Sequence, residues 1–376
     1  MSQLRPNSKL PLGILGGGQL ARMLALKAHE MGVPVAVLSE SKDDPAAQVT
    51  ALWRKGSLSD PKTLRDFLAS CSVATFESEF LDADLLGKLS KETKTQIFPR
   101  PKDMAVVQDR LTQKKLIEAN GLPTAAWIRV DDEKSAREAF RSLGRVVMKK
   151  RRFGYDGYGT FMVRNEAELE KFLPEIANNP HGFIGEKFIP FERELAVMVA
   201  RGRKGETLHL PYVETFQENS RCLWVKGPLK QTPQLSRLAK SLEKMLEKVG
   251  YVGIMGVELF DSAEGLLVNE LAPRVHNSGH YSLDALSEDQ FSIHLRAVLG
   301  LELRAPVPLS GGFAMLNLLG SYDKEPSWRL PPDVRLHWYG KKENRKGRKM
   351  GHVNALGPSP EKALALVLKR RGEFRV

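Results

Sequence analysis

Residues 12–38 constrain the fold of this chain more than any other stretch. The apolar run Leu12-Gly13-Ile14-Leu15 passes into Gly16-Gly17-Gly18, helical periodicity follows over 20–31, and a second apolar run fills 33–38. Two short apolar runs joined by a helix read as parallel strands with a crossover, so a doubly wound α/β domain is expected to begin here. A third run, Ser72-Val73-Ala74-Thr75-Phe76, ends on Glu77. Ligands of open parallel sheets bind beyond the carboxyl ends of the strands, which makes Glu77 a cleft candidate. Pro99, Pro101 and Asp103 then break the pattern before a helix expected over 104–119. A first domain over 1–103 follows.

The glycine turn admits more than one chemistry. Gly16, Gly18 and Ala21, with Glu40 closing the next strand, match the G-x-G-x-x-A fingerprint of dinucleotide binding, so an NAD(P)-dependent oxidoreductase is one reading. Glycines at a helix N-terminus let the backbone approach any anion, and a turn that merely packs helix on strand needs no ligand at all.

With 376 residues the chain exceeds one ordinary domain, and two or three units sharing a cleft are expected. Cys71 and Cys222 are its two cysteines, far apart and outside any CxxC spacing. A disulfide framework and a thiolate metal site are thereby excluded, and a reducing cytoplasm fits. Residues 1–9 are polar and lead directly into the first strand, so neither export nor membrane insertion is expected. The formal charge of +12 favours anionic partners. Its one dense run, 341–349, lacks the interleaved aromatics on which single strands stack, which points to phosphorylated small molecules rather than nucleic acid.

From Ala125 the pattern changes to strands with one helix, expected over 134–143, which describes an α+β lobe. A helix over 235–249 precedes two apolar runs, 254–260 and 266–269, on either side of Ser262-Ala263-Glu264-Gly265. They form a hairpin signal, and a loop of three or five residues sets Glu258 opposite Glu270 on one face. Two facing carboxylates repel unless a cation lies between them; hard oxygen ligands suit Mg²⁺, and Asn269 can add an amide oxygen. Pro306 and Pro308 mark a second boundary, after which a small mixed unit ends in a basic helix over 361–371.

Three further segments carry chemistry. Leu271-Ala272-Pro273-Arg274-Val275-His276-Asn277-Ser278-Gly279-His280 follows the hairpin directly, with an arginine that can hold an oxyanion and histidines that can move protons near neutral pH. Val146-Val147-Met148-Lys149 ends a strand on a lysine, and Phe153-Gly154-Tyr155-Asp156-Gly157-Tyr158-Gly159 follows as a glycine loop able to close over phosphates. No GxxxxGK[ST] motif occurs, which excludes a P-loop. Glu186-Lys187-Phe188-Ile189 and Glu194 form a strand and connector able to offer backbone groups to a purine edge and a carboxylate to ribose.

Taken together, Asp109-Arg110-Leu111-Thr112-Gln113-Lys114, Gly154-Tyr155-Asp156-Gly157, the stretch from Asn269 to His280, and Gly347-Arg348-Lys349-Met350-Gly351-His352 closely resemble the 5-(carboxyamino)imidazole ribonucleotide synthase family of ATP-grasp ligases. The motifs stand in family order across nearly the whole chain. The resemblance implies a pre-ATP-grasp domain over 1–103, an ATP-grasp domain over 104–304 with a lid lobe near 123–190, and a C-terminal domain over 305–376. It implies a cytoplasmic homodimer that uses ATP, Mg²⁺, bicarbonate and aminoimidazole ribonucleotide, by way of carboxyphosphate, in purine biosynthesis. Other ATP-grasp ligases, such as formate-dependent glycinamide ribonucleotide transformylase, are the nearest alternative.

Carried over by motif, Arg110, Lys149, Gly154, Tyr155, Asp156, Gly157, Tyr158, Gly159, Glu186, Lys187, Phe188, Ile189, Glu194, Asn269 and Glu270 are expected at ATP. Glu258 and Glu270 are expected on magnesium. Glu77, Tyr155, Asp156, Arg274, His276, Asn277, Lys341, Arg348 and Lys349 are expected at the ribonucleotide. Catalytic work is assigned to Lys149, Asp156, Arg274 and His276, with Asp156 handling the amine proton. The pattern departs from the family where Gln217 replaces a frequent histidine and Tyr158 a basic residue, and residues 216–221 match it poorly.

Overall fold

The computed structural model describes residues 10–154, 157–321 and 325–376. Leu12–Leu15, Val35–Ser39, Leu52–Lys55 and Val73–Phe76 form a parallel sheet in which the first strand lies between the second and the fourth. All four residues of Leu12–Leu15 are buried, as expected for a central parallel strand with helices on both faces. Helix Gln19–Glu30 follows the glycine turn and buries Leu20, Met23 and Leu24, three and four residues apart on one face.

The helix expected over 104–119 is two helices, Pro101–Gln108 and Arg110–Ala119. Asp109 breaks it by adopting extended backbone and accepting the Leu111 N–H on its carboxylate at 2.9 Å. As an N-cap it starts a new helix rather than continuing the old one. The lid lobe is a four-stranded sheet, Trp127–Val130, Phe183–Lys187, Val146–Lys150 and Thr160–Val163 in spatial order. Besides Glu133–Leu143 it carries a second helix, Glu166–Ala177, which the sequence reading missed. Asn165 caps that helix on the Glu168 N–H, and Pro174 inside it masks the pattern.

Apart from the short pair Ser327–Trp328 and Phe374–Arg375, the remaining strands form one large sheet. Gly265–Ala272 lies at one end, followed by Gly253–Ser262, Phe191–Arg201, Val213–Glu218 and Arg221–Gly227. The same ladder continues through Gly312–Leu319, Lys349–Gly357 and Arg335–Trp338. Hydrogen bonding thus runs unbroken past the prolines at 306 and 308. Helix Gln290–Leu299 joins this sheet to the first one, with the buried His294 Nε2 lying 2.8 Å from Thr75 Oγ1.

Candidate active site

A cleft of about 1210 Å³ opens where the three sheets meet. Of the described candidate residues, all but Glu77 and Gly159 line it. Tyr155 and Asp156 lie outside the described residues.

Glu77 faces the glycine turn. Its carboxylate accepts N–H bonds from Gly18 and, at 3.0 Å, from Ala21, and so caps the helix that begins at Gln19. A Cβ on Gly16 or Gly18 would stand within 3 Å of that carboxylate. Gly16 and Gly18 therefore make room for an anion that the chain itself supplies, and Glu77 occupies the place of a dinucleotide pyrophosphate. This corrects the NAD(P) reading. Burial raises the Glu77 carboxyl above the usual range, against the pull of the Ala21 and Gly18 N–H groups. Two residues on, Glu79 borders the cleft and grips the Arg274 guanidinium with both oxygens. Burial opposes its charge, but Arg274 wins and holds Glu79 below the ordinary carboxylate range. Sequence reasoning missed Glu79; its place just beyond the carboxyl end of strand Val73–Phe76 was the available signal.

The hairpin differs in detail from expectation. Its loop has two residues, Ala263 and Glu264, between the paired Ser262 and Gly265. Regular pairing would then set Glu258 opposite Asn269. A bulge at Asn269 shifts the register, and Glu258 pairs with Glu270 after all. Burial first, then the charges of Glu270 and Glu194, push the Glu258 carboxyl above its usual range. Arg110 Nη1 lies 3.0 Å from Glu270 Oε2, and His276 Nε2 lies 3.7 Å from Glu258 Oε1. This crowding of carboxylate oxygens, with raised protonation at Glu258, fits a divalent cation between the two strands. Among the described residues no group of three or more His, Cys, Asp or Glu side chains converges, so substrate phosphates have to complete such a site.

Beneath the lid, Lys149 Nζ lies 3.1 Å from both Glu186 Oε2 and Asn269 Oδ1. Glu186 is buried, which opposes its charge, yet Lys149, Lys114 and Arg110 hold its carboxyl well below the usual range. Its side chain is thus a counter-ion to lysines and not a contact for a purine. The N–H groups of Lys187 and Phe188 bind the carbonyls of Ala126 and Arg145, which leaves the carbonyls and the Ile189 N–H of this connector as its backbone groups for a purine edge. Ile189 is buried beside Leu267 and Phe260, where it offers an apolar wall. Glu194 rises to about 7 through burial, which Lys149 only partly offsets.

At the other end, Arg274 also donates to Val275 O, and Asn277 exchanges hydrogen bonds with Asn317. Burial, then Arg274 and Lys349, drive His276 down to about 3, so its ring is neutral near pH 7. Its Nδ1 lies 2.9 Å from Ser278 Oγ. The basic run divides in two. Lys341, Arg345, Lys346, Arg348 and Lys349 line the cleft, whereas Lys342 pairs with Asp43 at 2.8 Å on the exposed surface.

The comparisons with known proteins fall into line with this geometry. A ribonucleotide synthetase preATP-grasp domain matches residues 10–108, an ATP-grasp domain 115–291, and a phosphoribosylaminoimidazole carboxylase C-terminal domain 314–366. The N5-carboxyaminoimidazole ribonucleotide synthase of Synechococcus elongatus is 39% identical over 351 residues, covering 91% of this chain and 88% of that protein. This chain belongs to the N5-carboxyaminoimidazole ribonucleotide synthase family, whose members are ATP-dependent ligases. The Brucella melitensis member is 37% identical, with 95% of this chain and 98% of the relative covered. The Staphylococcus aureus enzyme crystallised with ADP superposes with a TM-score of 0.88 at 30% identity, over 98% of this chain and 100% of that one. The Aspergillus clavatus enzyme, solved with ADP and 5-aminoimidazole ribonucleotide, gives 0.85 at 28%, over 97% and 98%.

Proposed function

We propose that this chain joins bicarbonate to the exocyclic amine of 5-aminoimidazole ribonucleotide, converting ATP to ADP and phosphate, in de novo purine biosynthesis. One observation carries the reading: a single cleft holds Lys149 and the lid at one end, the Glu258–Glu270 pair at its centre, and Arg274 with the 341–349 basic loop at the other. A nucleotide triphosphate, a small oxyanion and a ribonucleotide phosphate find their counter-charges in that order.

Bicarbonate oxygen attacks the γ-phosphorus and ADP leaves, giving carboxyphosphate. The ribonucleotide amine then attacks the carboxyl carbon, directly or as CO₂ released from it, and phosphate departs. Lys149 and the lid N–H groups spread charge over the transferring phosphoryl group. Glu258 and Glu270 would hold Mg²⁺, which when bound neutralises phosphate oxygens. Arg274, fixed by Glu79, orients the oxyanion, and closure of residues 154–159 excludes water from a labile intermediate. Asp156 takes the amine proton from the closed lid, and Lys341, Arg348 and Lys349 bind the ribonucleotide phosphate.

The divisions at 103 and 304, a homodimer and a cytoplasmic setting belong to the same reading, supported by the family resemblance. No helix among the described residues is long and apolar enough to cross a membrane. The test is ADP release measured with Mg²⁺ and with or without bicarbonate and aminoimidazole ribonucleotide. Turnover is expected only with both; AMP as product, or formate replacing bicarbonate, would overturn the reading.

A further inference from the structure

Strand Gly265–Ala272 ends the large sheet, so among the described residues one edge of its backbone has no strand to pair with. Side chains and a loop replace the missing strand. Pro123 O accepts the Val268 N–H at 2.7 Å, and Thr124 Oγ1 donates to Val268 O at 2.7 Å. Gln113 accepts the Leu271 N–H at 2.9 Å and donates to Leu271 O at 3.1 Å, as a strand would. Between them Lys114 Nζ donates to the carbonyl of Asn269, the bulged residue, at 3.3 Å.

Arg110, Gln113 and Lys114 share one face of helix Arg110–Ala119, at i, i+3 and i+4. They meet Glu270, Leu271 and Asn269, three consecutive residues of the edge strand. Lys114 is the unexpected member. Its side chain is 2% exposed, and the chemistry proposed above gives it no contact with substrate. Its other contacts are Thr124 Oγ1 at 2.7 Å and Glu186 Oε2 at 3.1 Å. The same carboxylate oxygen takes Lys149 at 3.1 Å, and Lys149 also reaches Asn269 Oδ1. One oxygen is shared by a lysine facing the cleft and a lysine behind it.

We propose that Lys114 is a positioning residue of the ATP site: it carries part of the Glu186 charge and anchors the Asn269 carbonyl, and so sets where Lys149 and Glu270 stand. The inference rests on the ATP site assigned above. With Lys114 present, Lys149 need not neutralise Glu186 alone and can turn toward a phosphate oxygen. Without it, Lys149 is the one lysine still paired with this buried carboxylate, Arg110 being paired with Glu270, and is drawn onto it. The loss should therefore depend on the charge at residue 186.

The experiment is a cycle in the full chain: Lys114→Met, Glu186→Gln and the double variant, assayed for steady-state turnover and for Mg·ADP affinity by calorimetry. Lys114→Met alone should lower kcat/KM for ATP by about thirtyfold and weaken Mg·ADP to match, with the ribonucleotide KM changed by less than about threefold. In the Glu186→Gln background the same substitution should cost less than about threefold, because the charge it balanced is gone. An equal loss in both backgrounds would make Lys114 a packing residue and overturn the proposal. If Lys114→Met alone does not fold, the double variant against Glu186→Gln decides by the same criterion. Failure of wild-type turnover would instead strike the proposed function, while the Mg·ADP titrations still report on Lys114.

Discussion

Two glycine-rich loops in this molecule look alike on paper and differ in what fills them. The turn at Gly16-Gly17-Gly18 closes on the chain's own Glu77 carboxylate, whose oxygens take the Gly18 and Ala21 N–H groups. The loop around Gly157 and Gly159, both at positive φ, borders the open cleft between strands Val146–Lys150 and Thr160–Val163. Glycine in either place lets backbone come close to an anion. In the first the anion is part of the fold; in the second Ser220 packs on Gly157 and the Lys150 stem on Gly159, and any anion is left to the cleft beside them. A glycine fingerprint therefore reports backbone clearance and says nothing of whose charge occupies it.

The strongest way to break this comparison is to add a methyl group to each loop. Gly16→Ala puts a Cβ 2.6 Å from Glu77 Cγ at a φ of +115°, and should cost about 2–4 kcal/mol of stability in a denaturation experiment. Gly154→Ala, in the cleft-lining loop and without a positive φ, meets nothing closer than Tyr158 O at 3.1 Å, so it should cost less than about 1 kcal/mol and lower kcat/KM for ATP about tenfold. Equal stability losses in the two variants would mean that both loops are structural.

A second test sharpens the same contrast among the cations. Arg348 and Lys346 both line the cleft, but Arg348 is half-buried and donates to Glu343 O at 3.0 Å, whereas the Lys346 side chain is exposed to solvent. Removing one charge-assisted phosphate contact costs roughly 1.5–3 kcal/mol, so Arg348→Ala should raise the ribonucleotide KM about ten- to a hundredfold and leave ATP binding alone. Lys346→Ala should change neither. Equal effects, or tight salt-sensitive binding to duplex DNA, would assign the run to a polyanion instead.

The smallest effect concerns two carboxylates that burial pushes upward. Glu77 already has N–H partners, while Glu194, raised to about 7, faces the cleft where ribose hydroxyls are proposed. A raised acid stays protonated below its pKa and becomes the better acceptor above it. ATP affinity should thus rise severalfold between about pH 6 and pH 8, and Glu194→Gln should flatten that rise. A pH profile that survives the substitution would point to another group.

Much of this arrangement was legible because it rests on short-range pattern. The β-α-β order, the hairpin and the strand-ending Lys149 follow from apolar period and punctuation, which neighbouring residues decide. What escaped depends on distant partners. The hairpin loop was expected to hold three or five residues, and it holds two; the pairing of Glu258 with Glu270 survives through a bulge that no local signal marks. Glu77 reads as a ligand residue until the turn it caps, 56–59 residues away, is folded against it. The neutrality of His276 reflects burial, and burial is a property of the assembled cleft. The motif Asp109-Arg110-Leu111-Thr112-Gln113-Lys114 was recognisable as a string, but its sense, a helix face docked on an edge strand, needs both elements in place.

The unbroken ladder from Gly265–Ala272 to Arg335–Trp338 has a mechanical consequence. The paired carboxylates Glu258 and Glu270 and the strands that flank the basic loop belong to one hydrogen-bonded frame, whereas the lid strands belong to a separate sheet. Such a frame is a stator: the spacing between the paired carboxylates and the basic loop is built into one sheet, whereas the distance from either of them to Lys149 is set by how the four-stranded lobe is seated.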